Sequence, residues 1–359
     1  MTSHVSRARI DRAPEPWHVR VAEGLPSAID HVAAAAPASH AFLRRAWFAA
    51  AVDTYGGPVR TIVMEADGMP VIALPLRTVG PRAARLAAVP GSFWPFRSFP
   101  AAADLAPSAI EALLDALARE VRVLRIGPVY DGDPAASPLI DAARARGWKV
   151  IDRTIATSFL LDMAAAQAEG IWPRNSTLRK NRFHEKHLAE HGALNWSFLT
   201  GADWPASFDD LAAIEWTSWI NSRTDGRDAK FTRSGHGAFW RAAAADPVLA
   251  GMFRAALLTV NGRPAAFSFD LDAGELKYAI ANSYDPAFGK HSPGKLLYYR
   301  NLVDALARGI TRVDWGAGDS GYKRTIGAAA GPLIRDFLLI RPGASAALAP
   351  LVRLAWQRR

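Results

Sequence analysis

Residues 278–323, YAIANSYDPAFGKHSPGKLLYYRNLVDALARGITRVDWGAGDSGYK, read as strand, loop, helix, strand and a Gly-rich turn carrying Asp, Tyr and Lys. The turn Ser292-Pro293-Gly294-Lys295 opens the helix directly after the first strand. The first N–H groups of a helix have no partner inside it, and the helix dipole makes that end positive. A pyrophosphate or similar anion is therefore favoured there. The next strand runs into acid–base side chains, so an anion cradle and reactive groups fall at neighbouring strand ends. This order implies a transferase that uses a phosphate-bearing cofactor.

The rest of the chain must build a frame around that unit. At 359 residues and 50% hydrophobic content it has enough apolar mass for two domains with their own cores. Charged residues make up 21%, too few for a chain kept unfolded by its own charge. Cysteine is absent, which removes disulfides, a thiol nucleophile and Cys-ligated zinc, and fits a reducing, cytoplasmic setting. The opening MTSHVSRARIDRAPEPW is polar and irregular, unlike a secretory signal. No window approaches the roughly 18 uninterrupted apolar residues of a membrane span. The net charge of +9 asks for an anionic partner, and nucleic acid, anionic lipid and a polyphosphate cofactor all satisfy it.

Residues 1–30 read as an N-terminal arm. Residues 31–162 form a first α/β lobe, with helices over 41–55, 107–120 and 138–146 and strands over 60–65, 71–77, 122–127, 149–152 and 158–162. Residues 163–342 form a second lobe. It starts with a basic helix over 172–191, closed by Gly192. Helices over 208–220, 237–244 and 293–308 follow, with strands over 252–260, 264–271, 275–282, 311–315 and 333–340. Residues 343–359 form a C-terminal helix, expected to dock back on the protein. Two hairpins, VMEADGMPVIALPL and LLTVNGRPAAFSFDL, share their spacing, an Asx-Gly turn and a following proline. That similarity suggests an internal duplication.

The hairpin NGRPAAFSFDL, the strand LKYAIANSYDPAF, the turn HSPGKLL, the helix end ALARG and VDWGAGDSGYKR together resemble the GNAT acyltransferase superfamily, in its CelD-like, cellulose-biosynthesis-type branch. The basic helix RNSTLRKNRFHEKHLAEHG resembles that branch too, and the two-lobe plan is similar to Fem-type aminoacyltransferases. The resemblance covers about residues 165–340. It implies an α/β (mixed α+β sheet) protein of two tandem GNAT-like lobes, the first degenerate and the second catalytic. It also implies acyl transfer, acetyl above all, from acetyl-CoA or another acyl-CoA to an amine or hydroxyl, without a metal. The acceptor it implies is a small molecule or glycan of a polysaccharide or envelope pathway.

In that family the cofactor pyrophosphate lies on the loop that maps here onto Lys290, His291, Ser292, Pro293, Gly294, Lys295 and Leu296, with backbone amides from Gly294 to Leu297 as donors. The loop departs from the superfamily's usual Gln/Arg-x-x-Gly-x-Gly/Ala. The chemistry needs a base for the nucleophile, donors for an oxyanion and an acid for the leaving thiolate. Asp319 is the candidate base, Tyr322 the candidate acid, and Lys323 a contact to cofactor or acceptor. Glu215, Trp216, Trp219, Asn282 and Tyr284 are candidates for the acceptor side. The bland readings are an Asp319 that caps its helix and a Tyr322 that packs.

Other signals weigh less. Gly316-Ala317-Gly318-Asp319-Ser320-Gly321 spells GxGxxG after a strand, but Asp336 falls inside the following strand, so a dinucleotide site is disfavoured. His184, His187 and His191 share a helical face, yet Arg182 and Lys186 oppose a cation, so a solvated basic face is preferred over a metal site. Phe93-Trp94-Pro95-Phe96 lines the cleft between lobes or packs as core. Two rivals stand beside the acyl-CoA reading. One is a Fem-like enzyme using aminoacyl-tRNA, the only reading that brings in nucleic acid. The other is a non-catalytic polysaccharide-assembly partner.

Overall fold

The computed structural model describes residues 17–218, 220–221, 229–232, 236–318 and 321–357. Its strands are β1 (His18–Glu23), β2 (Val59–Ala66), β3 (Met69–Val79), β4 (Leu86–Ala88), β5 (Val123–Tyr130), β6 (Lys149–Asp162), β7 (Leu194–Leu199), β8 (Phe253–Val260), β9 (Arg263–Ala273), β10 (Leu276–Tyr284), β11 (Arg312–Ala317) and β12 (Ala329–Ile340). Its helices are α1 (Ala28–Ala35), α2 (Arg45–Tyr55), α3 (Pro107–Glu120), α4 (Ala136–Ala145), α5 (Met163–Ala168), α6 (Asn175–Leu188), α7 (Phe208–Thr217), α8 (His236–Ala243), α9 (Pro247–Met252), α10 (Pro293–Ala307), α11 (Tyr322–Ile326) and α12 (Ala349–Gln357).

All strands join one 12-stranded sheet in the order β1-β2-β3-β4-β5-β12-β6-β11-β10-β9-β8-β7. Each half repeats one plan. A strand pairs with an antiparallel hairpin, a further strand follows, and a helix crosses over to a parallel neighbour. In the first half this is β1, β2–β3, β4, α3 and β5; in the second it is β7, β8–β9, β10, α10 and β11. Both hairpins turn as their sequences require. Asp67 and Gly68 have φ of 50° and 76°, and Asn261 and Gly262 have φ of 50° and 75°. Two consecutive positive φ values define the tight turn that Asx-Gly accommodates.

The last strand of each half is exchanged. β6 leaves the first half to pair with β11, while β12 leaves the second to pair with β5, and the two pair with each other. The segments expected as separate strands over 149–152 and 158–162 are one strand, and the segment at 333–340 starts earlier and lies mid-sheet rather than closing an edge. Short α5 and α9 were not expected. Each is started by a side-chain cap, Asp162 to the Ala165 amide and Asp246 to the Val248 and Leu249 amides.

One core unites the halves. Ile29 of α1, Trp47 and Phe48 of α2, Leu211 and Ile214 of α7, and Phe239 and Trp240 of α8 pack with Phe267, Phe269 and Tyr278 of the sheet. Each fully buried side chain of this size contributes ~1.5–3 kcal/mol. Elsewhere α3 and α4 cover the first-half strands, and α10 with α6 covers those of the second. The α12 helix docks through Ala349, Val352 and Trp356 onto Ile151, Leu338 and Ile340.

Candidate active site

Strands β10 and β11 run parallel for three residue pairs, of which Tyr278↔Asp314 is the last. Beyond it β10 shifts register against β9 between Ala279 and Ala281, and β11 shifts against β6 after Asp314. The two strands part there, leaving a wedge whose vertex is Asp314.

Asp314 is 4% exposed, and its Oδ1 accepts the Gly316 amide at 2.6 Å. Burial pushes its carboxyl up to about 6, against smaller opposing pulls from the Gly316 amide, Tyr130 and Lys323. The Tyr130 hydroxyl comes from the end of β5 in the first half; it lies beside this carboxylate and is buried without a well-formed hydrogen bond. Burial and the Asp314 charge raise the Tyr130 phenol well above its ordinary value. Over the vertex lies Trp94. A Cβ on Gly316, at φ 61°, would come within 1.5 Å of the indole, so only glycine fits there. The aromatic stretch divides its tasks: Phe96 is fully buried against Tyr130 and Tyr278, while Phe93 is 43% exposed.

At the open end of β10 the chain turns into α10. Gly294 is buried, and a Cβ there would stand 3.1 Å from Tyr284 Cδ1 and 3.3 Å from Asn282 Oδ1. Asn282, Tyr284 and Gly294 are thus brought together, and glycine lets the helix start touch the strand end. Ser292 precedes it in the left-handed region, at φ 51°. The expected run of amide donors is shorter than the sequence implies. The Lys295 and Leu296 amides both donate to the Ser292 carbonyl, and proline has no N–H, which leaves the Gly294 amide at the helix start. Leu296 is buried in the core, whereas Lys290 and Lys295 are exposed.

Lys295 lines a small cleft with Arg174, Thr177, Asn181, Tyr299 and Thr325, between α6, α10 and α11. Asn181 is 7% exposed, yet among the described residues neither its amide nitrogen nor its carbonyl oxygen has a hydrogen-bond partner. Buried amides are normally satisfied. Its lining suits a polar, anionic ligand: two cations at the rim and an amide able to donate and accept inside. His291 sits at this end against His191, with 2.9 Å between the Nε2 atoms, and its pKa is lowered by partial desolvation and by His191, His187 and His184 nearby. Among the described residues no group of three or more His, Cys, Asp or Glu is arranged to hold a metal.

Other expected residues lie elsewhere. Asp319 and Trp219 fall outside the described residues. Tyr322 opens α11 and is 43% exposed. Lys323 is buried, and its ammonium donates to the carbonyls of Trp315, Gly316 and Ala317 at 2.9, 3.3 and 3.0 Å. It staples the turn after β11. Glu215 is 1% exposed and accepts the amides of Lys230 and Phe231 at 2.8–3.0 Å. Its carboxylate anchors that segment instead of facing an acceptor, and Trp216 beside it is 66% exposed.

Residues 175–324 match the family model described as Acetyltransferase (GNAT) domain. Over those residues the chain is similar to that family. Three solved structures share the whole two-lobe architecture with this protein. FemX is 14% identical at a TM-score of 0.62, with 92% of this chain and 98% of that one covered. A conserved protein of unknown function from Bacteroides thetaiotaomicron is 12% identical at 0.55, covering 90% and 100%. The C-terminal domain of a putative lysylphosphatidylglycerol synthetase from Agrobacterium fabrum is 16% identical at 0.51, covering 90% and 94%. At such identities the likeness concerns the fold. No curated protein is similar enough to this chain to count as a match. Among the described residues no helix is long and apolar enough to cross a membrane.

Proposed function

We propose that this protein transfers an acyl group, acetyl in the simplest case, from acyl-CoA to an amine or hydroxyl of a small or sugar-containing acceptor. The observation that carries the reading is the wedge between β10 and β11, with a buried acid at its vertex and a helix start at its mouth. Lys295 and Arg174 would hold the phosphates at the cleft rim, and the Asn181 amide would meet polar groups inside. The cofactor supplies the thioester. Amides of β10 past its register shift polarise the carbonyl, Asp314 takes the proton of the attacking group, and Tyr322 protonates the departing sulfur. Asp314 sits on the side of the sheet that meets Tyr130, so the acceptor approaches between the lobes.

Calorimetric titration with acetyl-CoA tests this. The wild type is expected to bind saturably at moderate salt. Gly294→Glu puts bulk against Tyr284 and a negative charge at the helix start, and is expected to weaken binding at least tenfold and to lower the melting temperature, so binding is read below the variant's own melt. Wild-type binding that is absent, or untouched by the variant, removes the cofactor assignment.

A second reading has its own support. Arg174, Arg179, Lys180, Arg182 and Lys186 of the α6 region are all exposed, and a charge array of that kind suits a polyanion such as aminoacyl-tRNA. The likeness to a putative lysylphosphatidylglycerol synthetase domain fits the same idea. Activity that nuclease abolishes would favour it; turnover with acyl-CoA in an RNA-free assay would remove it.

A further inference from the structure

A second and larger cleft, of about 440 Å³, lies between α6 and α10 with Phe198 of β7 in its wall. Leu178, Asn181 and Arg182 of α6 line it at the spacing i, i+3, i+4, and Leu296, Arg300 and Val303 of α10 at i, i+4, i+7. Residues so spaced share one helical face, so two facing stripes form the opening. The volume is in the range of small-molecule sites. This is the α10 side of the sheet, where Tyr298 packs on Trp315. Successive side chains of a strand point to opposite faces, which puts Asp314 on the other side.

The lining divides by character. Leu178, Phe198, Leu296 and Val303 form an apolar wall, and Phe198 and Val303 leave 42% and 46% of their surface open to water. Most charges at the cleft are already answered. Arg300 pairs with Glu185 at 2.6 Å and lies over the Trp196 ring, and Asp304 pairs with Arg308 at 2.8 Å. Arg182 differs, since among the described residues no carboxylate lies within ion-pair distance of it. Beside it is Asn181, nine-tenths buried, with both polar atoms of its amide unpartnered among the described residues. A buried amide left so is destabilising until a ligand completes it. An unanswered cation and an open amide next to an apolar wall match an amphipathic anion.

We propose that this cleft binds a medium-chain carboxylate, its head between Arg182 and the Asn181 amide and its chain along the apolar wall. The guanidinium fork fits the two oxygens of a carboxylate. A single unanswered cation calls for a single negative charge, which a carboxylate carries and a phosphate monoester exceeds. Asn181 and Tyr299 also line the smaller cleft beside Lys295. The side-chain amide has donors and an acceptor, so its nitrogen can serve the carboxylate while its oxygen serves the neighbouring cleft. The carboxylate is thus a second ligand, held on α10 away from Asp314, and its binding stands independently of the acyl-CoA reading.

The test is calorimetric titration of the full chain with decanoate, kept below its micelle-forming concentration, and with acetate as the head without the chain. Decanoate is expected to bind saturably at one site, and acetate is not. Binding should weaken about tenfold in Arg182→Ala, the loss of one charge-assisted hydrogen bond, and about as much in Val303→Glu, which sets a like charge in the apolar wall. Both residues are exposed, so both variants should fold; should one fail by thermal melt, the other decides. Asn181→Leu should bind decanoate more weakly yet melt higher, because it removes an unsatisfied buried amide. A lower melt with unchanged binding would overturn Asn181 as part of the head site. Decanoate binding should persist in Gly294→Glu and with saturating CoA present. Absence of saturable decanoate binding overturns the proposal, and so does acetate binding of equal strength, which would make the chain irrelevant. Binding that Arg182→Ala and Val303→Glu both leave intact places decanoate elsewhere, and binding that CoA displaces makes the cleft part of the cofactor site; either overturns it. A wild type that binds decanoate but not CoA would sink the cofactor assignment and leave this site standing.

Discussion

Asp314→Asn is expected to lower kcat/KM by about 10²–10⁴-fold, the range of a lost general base, while making the protein more stable at pH 8. The two effects have one origin. Burial raises the Asp314 carboxyl from 3.8 to about 6, so its ionised form is disfavoured in the fold relative to the unfolded chain. A raised carboxyl contributes stability in its neutral form, below the unfolded pKa, and loses it as pH climbs through 6. Two pKa units at ~1.4 kcal/mol each make that loss up to about 3 kcal/mol above pH 7. Asparagine keeps the acceptor for the Gly316 amide and never ionises, so it escapes the loss. Urea melts at pH 8 and pH 4 would show the variant's advantage at the first and its disappearance at the second. In the wild type, kcat/KM should fall below pH ~6 as the base is protonated. A variant that works within threefold of wild type would remove Asp314 from the chemistry.

The largest loss of stability is expected from Lys277→Met. Lys277 and Asp270 are both fully buried, 3.3 Å apart, and Lys277 also reaches Asp272 at 2.7 Å. Asn301 of α10 donates to Asp270 at 2.7 Å, so the pair ties β9, β10 and α10 together beneath the wedge. Removing the cation leaves a buried carboxylate uncompensated, which costs about 3–5 kcal/mol. Burial already raises the Asp270 pKa despite the opposing pull of Lys277. Without that pull it rises further, and the destabilisation should shrink as pH falls and Asp270 takes up a proton. Melts at pH 7.5 and pH 5 would reveal the trend. Adding Asp270→Asn should restore part of the loss at pH 7.5, and an unaltered double variant would argue against the uncompensated charge as its cause.

What was legible in the sequence was local. Asp67-Gly68 and Asn261-Gly262 announce their hairpins because the turn demands positive φ at both positions. The α10 helix and its glycine start follow from a periodic apolar run behind a small-residue turn. The pairing of β6 with β11 and of β12 with β5 could not be read that way. All four mix apolar and polar residues, and which edges meet is settled by long-range packing that no short window encodes. The site divides along the same line. Asp314 is a lone acid between Val313 and Trp315, a signal of a buried charge, but its partner Tyr130 comes from the other half of the chain. Glu215 and Lys323 are polar residues whose surroundings the sequence does not show. Their charges are consumed by backbone amides and carbonyls, which composition does not reveal.

The exchange of β6 and β12 makes each half the custodian of a piece of the other. A chain cut after residue 162 would yield a first fragment carrying the strand that β11 requires, and a second carrying the strand that β5 requires. Neither fragment could seal its own sheet, and each would present exposed strand edges until it met its complement. The halves are therefore obligate co-folders. A first half tied in this way holds Tyr130 beside Asp314, a neighbour that the second half could not supply from its own strands.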